Sequence, residues 1–277
     1  MANVLAPKTR ILSGPGILYR AGLGVLGPGQ RALTVTTKEL SANVATITTS
    51  QPHGVLAGGK IDLTGVGAPF DGYRTVIAAP TTTTLTFAIV NPDIASVAAT
   101  GTATTDAGGT VVGGRFTDSW PTAWLPIGVT KEGHEWSYSV DSEGVEVAEY
   151  LLPVMQAPTG AEGTVSFELV EYTGANVAWA LNGGSLTTIS GSGATLLTKL
   201  SPPGIENQVR TQIGWETDDG TERGIFRQLL QSGDLTSKHG KGADVASLTA
   251  EFTMEQPSLG DAFNRFYAGT NALGLVA

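Results

Sequence analysis

The chain carries 37 glycines among 277 residues, spaced so that few stretches can run on as helix. Each interior glycine costs a helix about 1 kcal/mol relative to alanine. Between the glycines lie short segments in which every second residue is apolar, often with threonine between. LTVTTKE, NVATITT, KIDLTGV, TTTTLTFAIV and ASLTAEFTMEQP all read this way. A period of two places alternate side chains on opposite faces of an extended strand. The sequence therefore predicts a mainly β protein with many turns, not a helical bundle.

Apolar residues make up 41% of the chain, enough to bury a real core, and the length suits one large domain or two small ones. Charged residues are 15%, below the usual ~25%. Cysteine is absent, which excludes disulfides, thiolate chemistry and cysteine-based zinc sites. The three histidines, His53, His134 and His239, lie far apart, and nothing predicts that they converge. The opening MANVLAPKTRILSGPG lacks an apolar core of signal-peptide type, so no secretory signal is expected. No apolar run reaches the ~18 residues of a membrane-spanning helix.

Charge is unevenly placed. Residues 132–198 hold nine acidic side chains and no Lys or Arg, whereas the rest balances sixteen acids against sixteen bases. The formal charge is −9 and the pI is about 4.8. Basic clusters are missing, which argues against tight binding along a phosphate backbone. A long one-signed stretch predicts a solubilising or polyanion-repelling face rather than a catalytic pocket.

Three regions differ in composition. Residues 1–32, with ILSGPGILYRAGLGVLGPG, are apolar, glycine-rich and nearly uncharged. They read either as a first strand plus loop or as an extended arm that bridges subunits. Residues 33–110 form a threonine-rich block of about five short strands, a small β-barrel or sandwich. Its turns fall at Pro52–Gly54 and Asp71–Gly72, and its end, AATGTATTDAGGT, reads as an exit linker or a last edge strand. Residues 111–277 form the main domain. HEWSYSV alternates with Trp136 and Tyr138 on one face, and VEVAEYLLPV and GTVSFELVEYTG read as strands. ANVAWALNGG reads as a short helix stopped by Gly183–Gly184. RTQIGWETDDG and ERGIFRQLLQSG make a hairpin with its turn at Asp218–Gly220, ASLTAEFTMEQP is a late strand, and AFNRFYAG is a short aromatic segment.

Familiar chemical motifs fail on context. Gly22, Gly24 and Gly27 satisfy a bare G-x-G-x-x-G, yet Pro28 and Gly29 follow where a dinucleotide fold needs a helix. Ser190 and Ser192 in ISGSGAT do not form a nucleophile elbow and read as loop. Asp218, Asp219 and Glu222 lack calcium-loop spacing and read as a solvated hairpin tip. His53 reads as a turn residue, and His239 as part of a loop. The flanking Glu132 and Glu135 give a reason to expect a perturbed His134, though no nucleophile accompanies it. Trp120, Trp124, Trp136, Trp179 and Trp215 are expected as core or interface anchors, with a sugar platform as the functional rival. No catalytic residue, cofactor or metal site is expected.

Two stretches resemble known proteins. WLPIGVTKEGHEWSYSV, VEVAEYLLPV and GTVSFELVEYTGANVAWALNGG, then GIFRQ, SLTAEFTM and the terminal aromatic segment, are similar to the major tail tube protein of long-tailed (siphovirus-like) bacteriophages. Glu168, Glu171, Asn176 and Leu181 occupy that family's strand-then-helix pattern. The block at 33–110 resembles a small β module recurring in phage virion proteins, carried by Ala45–Thr49, Pro52–Gly54, Gly59–Gly67, Phe70–Gly72 and Thr83–Ala88.

The resemblance implies a tail-tube-type β-sandwich or barrel with a flanking short helix, plus an inserted small all-β domain on the tube exterior. It implies a structural subunit of the virion tail, assembled in the host cytoplasm. Hexameric rings would stack into a tube around a negative lumen that lets double-stranded DNA pass without sticking. The implied partners are further copies of the chain and the tail terminator, tape measure and distal tail proteins, with no membrane. Residues 1–32 and the loops 186–204 and 231–244 are the implied contacts between rings. Some of Glu146, Glu149, Glu168 and Glu171 would face the lumen, although alternation prevents all four from sharing a face. The rival readings are another virion structural protein (a tail terminator or capsid decoration), a glycan-binding adhesin, and a hydrolase with paired carboxylates.

Overall fold

The computed structural model describes residues 16–105, 109–145, 155–171, 173–239, 246–258 and 260–269. Strands dominate, and the only α-helix among the described residues is short. No helix among them is long and apolar enough to cross a membrane.

Strand β1 (Gly16–Gly22) leads into a block of seven: β2 (Ala32–Ser41), β3 (Val44–Thr49), β4 (Lys60–Thr64), β5 (Gly72–Ala78), β6 (Thr84–Ala88), β7 (Ile94–Ala98) and β8 (Thr102–Thr105). These pair in the order β3-β6-β5-β4-β8-β2-β7, and β3 also pairs with β2, so the ladder returns on itself. Alternation supplies the core directly. Val35, Ile47, Ile61, Leu63, Leu85 and Phe87 point inward and are buried with Phe70. The sequence suggested about five strands, with 98–110 as an exit linker or a last edge strand; the strand count needs correction, and the last segment does form a strand, though not at an edge. There are seven strands, and β8 lies between β4 and β2, with Ala103 opposite both Leu63 and Leu33. Gly101 makes this possible. Its φ is +110°, and a Cβ there would stand 2.5 Å from the Gly65 carbonyl carbon, so the two turns meet backbone to backbone.

The remaining strands are β9 (Val111–Val112), β10 (Arg115–Phe116), β11 (Leu125–Pro126), β12 (Thr130–Val145) and β13 (Met155–Leu169). After the helix α1 (Gly174–Ala180) come β14 (Ser185–Ser190), β15 (Leu197–Ser201), β16 (Thr211–Thr217), β17 (Glu222–Gln231), β18 (Thr236–Lys238), β19 (Ser247–Met254) and β20 (Phe263–Tyr267). The large sheet runs β11-β1-β16-β17-β19-β13-β12, with β18 on β19 and β20 on β17. Its inner face and α1 share one core of Leu18, Val165, Phe167, Ile213, Phe226, Phe252 and neighbours. Phe167, Trp179 and Phe252 stack with centroids 5.0–6.0 Å apart. The two sheets touch at Asp261, which accepts from the Tyr73 hydroxyl at 3.2 Å and lies 3.8 Å from the Lys60 ammonium.

The predicted helix and its stop signal are found. Thr173 caps α1 by accepting from the Asn176 amide, and the chain leaves through Asn182 and Gly183, both at positive φ. Asn176 is buried, and its side-chain amide donates to the Ile127 carbonyl at 2.8 Å and the Glu171 carbonyl at 3.1 Å. Replacing Asn176 by alanine strips both carbonyls of that donor. The expected cost is about 2 kcal/mol in a urea titration, with an unchanged m-value. The segment 186–204, expected as flexible loop, is largely the hairpin β14–β15. The 231–244 segment contains β18, paired to β19.

Candidate functional site

Strand β12 is the outermost strand of the large sheet, and register decides what it shows to solvent. Glu135 faces Ser166, Ser137 faces Thr164, Ser139 faces Glu162 and Asp141 faces Gly160. On the other side of β13, Thr164 faces Thr253, Ser166 faces Glu251 and Glu168 faces Thr249. Directly opposed residues in an antiparallel ladder share a face. One face of β12–β13–β19 therefore carries Glu135, Ser137, Ser139, Asp141, Glu162, Thr164, Ser166, Glu168, Thr249, Glu251 and Thr253. Apart from Gly160, every position is a hydroxyl or a carboxylate. The opposite face presents Trp136, Val165, Phe167, Leu248, Ala250 and Phe252 to the core. Core burial thus fixes which residues look outward: a one-residue slip would exchange the two sets.

Glu135 and Glu251 flank Ser166 in one row, roughly 10 Å apart across two inter-strand spacings. At that range in water two carboxylates repel weakly, so the row is tolerated while its field still adds outward. Hydroxyls knit the surface, with Ser137 and Thr164 at 2.8 Å. Basic residues appear only at one end. Lys131 lies 3.5 Å from Glu168, and Lys238 stands opposite Ser247. The Ser247 hydroxyl donates to Glu168 at 2.6 Å and, with Lys131, holds its carboxyl below the usual carboxylate range.

Of the carboxylates expected to line a lumen, Glu168 is on this face, opposite in direction to Phe167 and Leu169 as alternation required. Glu171 lies past the end of β13, with its carboxylate against Gly128, and does not join it. Glu146 and Glu149 lie outside the described residues. Sequence reasoning missed Glu251 altogether, because it falls far outside the acidic stretch and reaches the face only through the β13–β19 register.

The other singled-out residues separate. His53 is buried. Its Nδ1 accepts from the Val55 amide at 3.0 Å, so Nε2 is the donor to the Thr81 carbonyl, also at 3.0 Å, and the ring braces a turn. His239 is near Ser237 at 3.3 Å. Trp124 and Trp215 are buried, while Trp120, Trp136 and Trp179 are partly buried against the cores. Ser190 ends β14, and Ser192 begins a one-turn helix. Gly22–Gly27 is a turn that leads into β2. The solvated-tip reading of Asp218, Asp219 and Glu222 holds for Asp218, which is exposed in the turn, and needs correction at Glu222. Asp219 caps Thr221 within the turn, but Glu222 starts β17 with 1% exposure and is paired with Arg265. No cluster of three or more His, Asp or Glu suited to a metal occurs among the described residues.

His134 corrects a second expectation. Its sequence neighbours Glu132 and Glu135 do not control it, since Glu135 projects from the opposite face of the strand. The ring packs on Trp215 with centroids 5.1 Å apart, and burial, then the Arg265 charge, push its pKa down. A depressed histidine pKa means the unfolded chain binds the proton more readily. Stability is therefore full above the unfolded value of about 6.5 and falls as pH drops from there toward the folded value. Thermal melts between pH 7 and pH 5 should show this decline, and His134→Gln should flatten it. An unchanged slope in the variant would assign it to other groups.

The chain matches no protein-family model and no curated protein sequence.

Proposed function

We propose that this chain is a structural subunit of a bacteriophage tail tube, with no catalytic role, whose rings stack around a channel for double-stranded DNA. The observation that carries the proposal is the hydroxyl-and-carboxylate face of β12–β13–β19. Such a face repels phosphate over most of its length, keeps its ammonium groups, Lys131 and Lys238, to one end, and stays wetted. A channel that must release a long polyanion needs those properties together. In this reading that face lines the lumen, and six copies per ring is the number the tail-tube resemblance implies. The seven-stranded block would project from the exterior, because its bulk in the lumen would obstruct the duplex.

Sheet topology adds support. The large sheet ends in β12 on one side and in β1, only partly covered by the two-residue β11, on the other. Open edges invite pairing with another chain. Unlike edges meeting head to tail form heterologous contacts that close into rings or extend as filaments.

Electron microscopy of the purified protein across a concentration series tests the proposal. Hollow tubes of stacked rings with peripheral knobs are expected. A monomer that binds a glycan saturably would reject the tube reading in favour of an adhesin.

A further inference from the structure

At the side of the large sheet away from β12, an open cavity of about 270 Å³ lies between the end of β1, the start of β16 and α1. Its lining includes Arg20, Ala123, Leu125, Trp179, Val209 and Arg210, and the wall is mostly apolar. A water molecule's share of liquid volume is about 30 Å³, so the space suits roughly nine non-hydrogen atoms. Leu125 and Val209 are each more than half exposed, which leaves the cavity reachable from solvent.

Arg20 is out of place on its strand. Alternation along β1 puts it on the face of Leu18, which is buried in the core, and register sets it opposite the buried Ile213 on β16 and Leu125 on β11. A charge thus closes one end of an apolar core. The guanidinium lies 5.1 Å over the Trp179 ring and donates to the Ala175 carbonyl at 3.3 Å. A guanidinium carries five N–H donors, and no carboxylate meets this one among the described residues. Burial lowers its pKa, with no opposing charge to offset the lost hydration. The neighbouring polar side chains are already engaged. Arg210 donates to Glu255 through Nε and Nη2. The Thr211 hydroxyl accepts from the Trp179 indole and donates to the Ala21 carbonyl, each at 3.0 Å.

We propose that this cavity binds a small amphipathic monocarboxylate, with an apolar body of roughly six to eight carbons inside and its carboxylate on Arg20. Leu125, Val209 and the Trp179 ring hold the body by burial. The planar guanidinium fork, fixed over the indole, receives the two carboxylate oxygens. A neutral ligand of the same shape would leave the half-buried cation uncompensated, and a cationic one would be repelled by it. A free acid and the C-terminal residue of a polypeptide both offer this chemistry. The site stands apart from the tube reading, since it uses the other side of the sheet and its test needs no assembly.

Calorimetric titration of the full chain with octanoate, 1-octanol and acetyl-leucine tests the site. Octanoate should bind once per chain with a Kd on the order of 100 µM, and 1-octanol at least tenfold more weakly. Arg20→Gln should weaken octanoate at least tenfold while leaving 1-octanol unchanged. Ala123→Phe, at an exposed lining position, should fill the space and abolish both, and it covers the case in which Arg20→Gln misfolds by circular dichroism. A contact readout is independent of these heats: 8-bromooctanoate should quench tryptophan emission in the wild type, and Trp179→Phe should remove most of that quenching. Acetyl-leucine binding more tightly than octanoate would support the site and assign it to a chain terminus, whereas the reverse order would support it and assign it to a free acid. No saturable binding of either carboxylate at 10 mM would overturn the proposal. So would equal affinity for octanoate and 1-octanol, or octanoate binding that survives Ala123→Phe unchanged.

Discussion

The triple variant Glu135→Lys, Glu162→Lys, Glu251→Lys is expected to convert a tube that lets DNA pass into one that holds it. All three side chains are exposed on the hydroxyl face, and none is joined to a basic partner by an ion pair among the described residues. Surface substitutions of this kind usually cost within about 0.5 kcal/mol, so folding and assembly should survive. Each reversal removes a repelling charge and adds an attracting one, and ring symmetry multiplies the effect around the channel. Wild-type tubes should retain no short duplex at 50 mM salt, whereas the variant should bind it with a Kd on the order of micromolar or tighter. For six or more phosphate contacts, raising salt to 200 mM should cost about a thousandfold. Filter retention across a salt series measures this, and nuclease treatment says where the duplex lies. Retained DNA should resist nuclease. Retention of nuclease-sensitive DNA would place β12–β13–β19 on the outside and reject the channel assignment.

What was legible in the sequence was local. Alternation placed Trp136 and Tyr138 together, and both rings pack against Phe263. The glycine pair Gly183–Gly184 marked the end of α1, with the structure adding Asn182 at positive φ, and the Asp218–Gly220 turn closed β16 onto β17. What was hidden was pairing at a distance. β8 read as no more than a linker or an edge strand because its inward residues are Ala103 and Thr105, too small and too polar to register as an apolar alternation, although both are fully buried. Burial there comes from neighbours on β2 and β4, which no local window contains. Glu222 looked like part of a solvated tip until Arg265, on a strand more than forty residues away, gave its carboxylate a buried partner. The candidate surface shows both sides of this. The acidic stretch announced a repelling face, but which carboxylates share it depended on the β12–β13 and β13–β19 registers. Those registers brought in Glu251 and left Glu171 out.

Arg223→Ala should cause the largest loss of stability in the chain, because one side chain ties a loop, two strands and a carboxylate together. Arg223 is 1% exposed and stands opposite Glu216 in the β16–β17 ladder. Its Nε and Nη2 donate to one Glu216 oxygen at 3.0 and 2.9 Å, and Nη2 also donates to the Asp118 carbonyl at 2.7 Å. The guanidinium lies 4.7 Å over the Phe116 ring and 5.8 Å from the Trp120 ring, and the Trp120 indole donates to the same Glu216 oxygen at 2.6 Å. Trp120 in turn stacks on Tyr19 at 4.4 Å and meets Trp124 edge-on at 4.9 Å. Truncation leaves the Glu216 charge, whose side chain is 19% exposed, without its guanidinium. Breaking a buried ion pair from one side costs about 3–5 kcal/mol, which for a chain of this size lowers Tm by about 10 °C. Lysine at 223 should recover little, since an ammonium cannot reproduce the fork or the ring contact. Removing the stranded charge as well discriminates the cause. If desolvated charge dominates, Arg223→Met with Glu216→Gln should melt several degrees above Arg223→Ala, because an apolar side chain and a neutral amide replace an unpaired ion. If the double variant melts no higher, the loss belongs instead to the packing of Phe116 and Trp120 against the missing guanidinium.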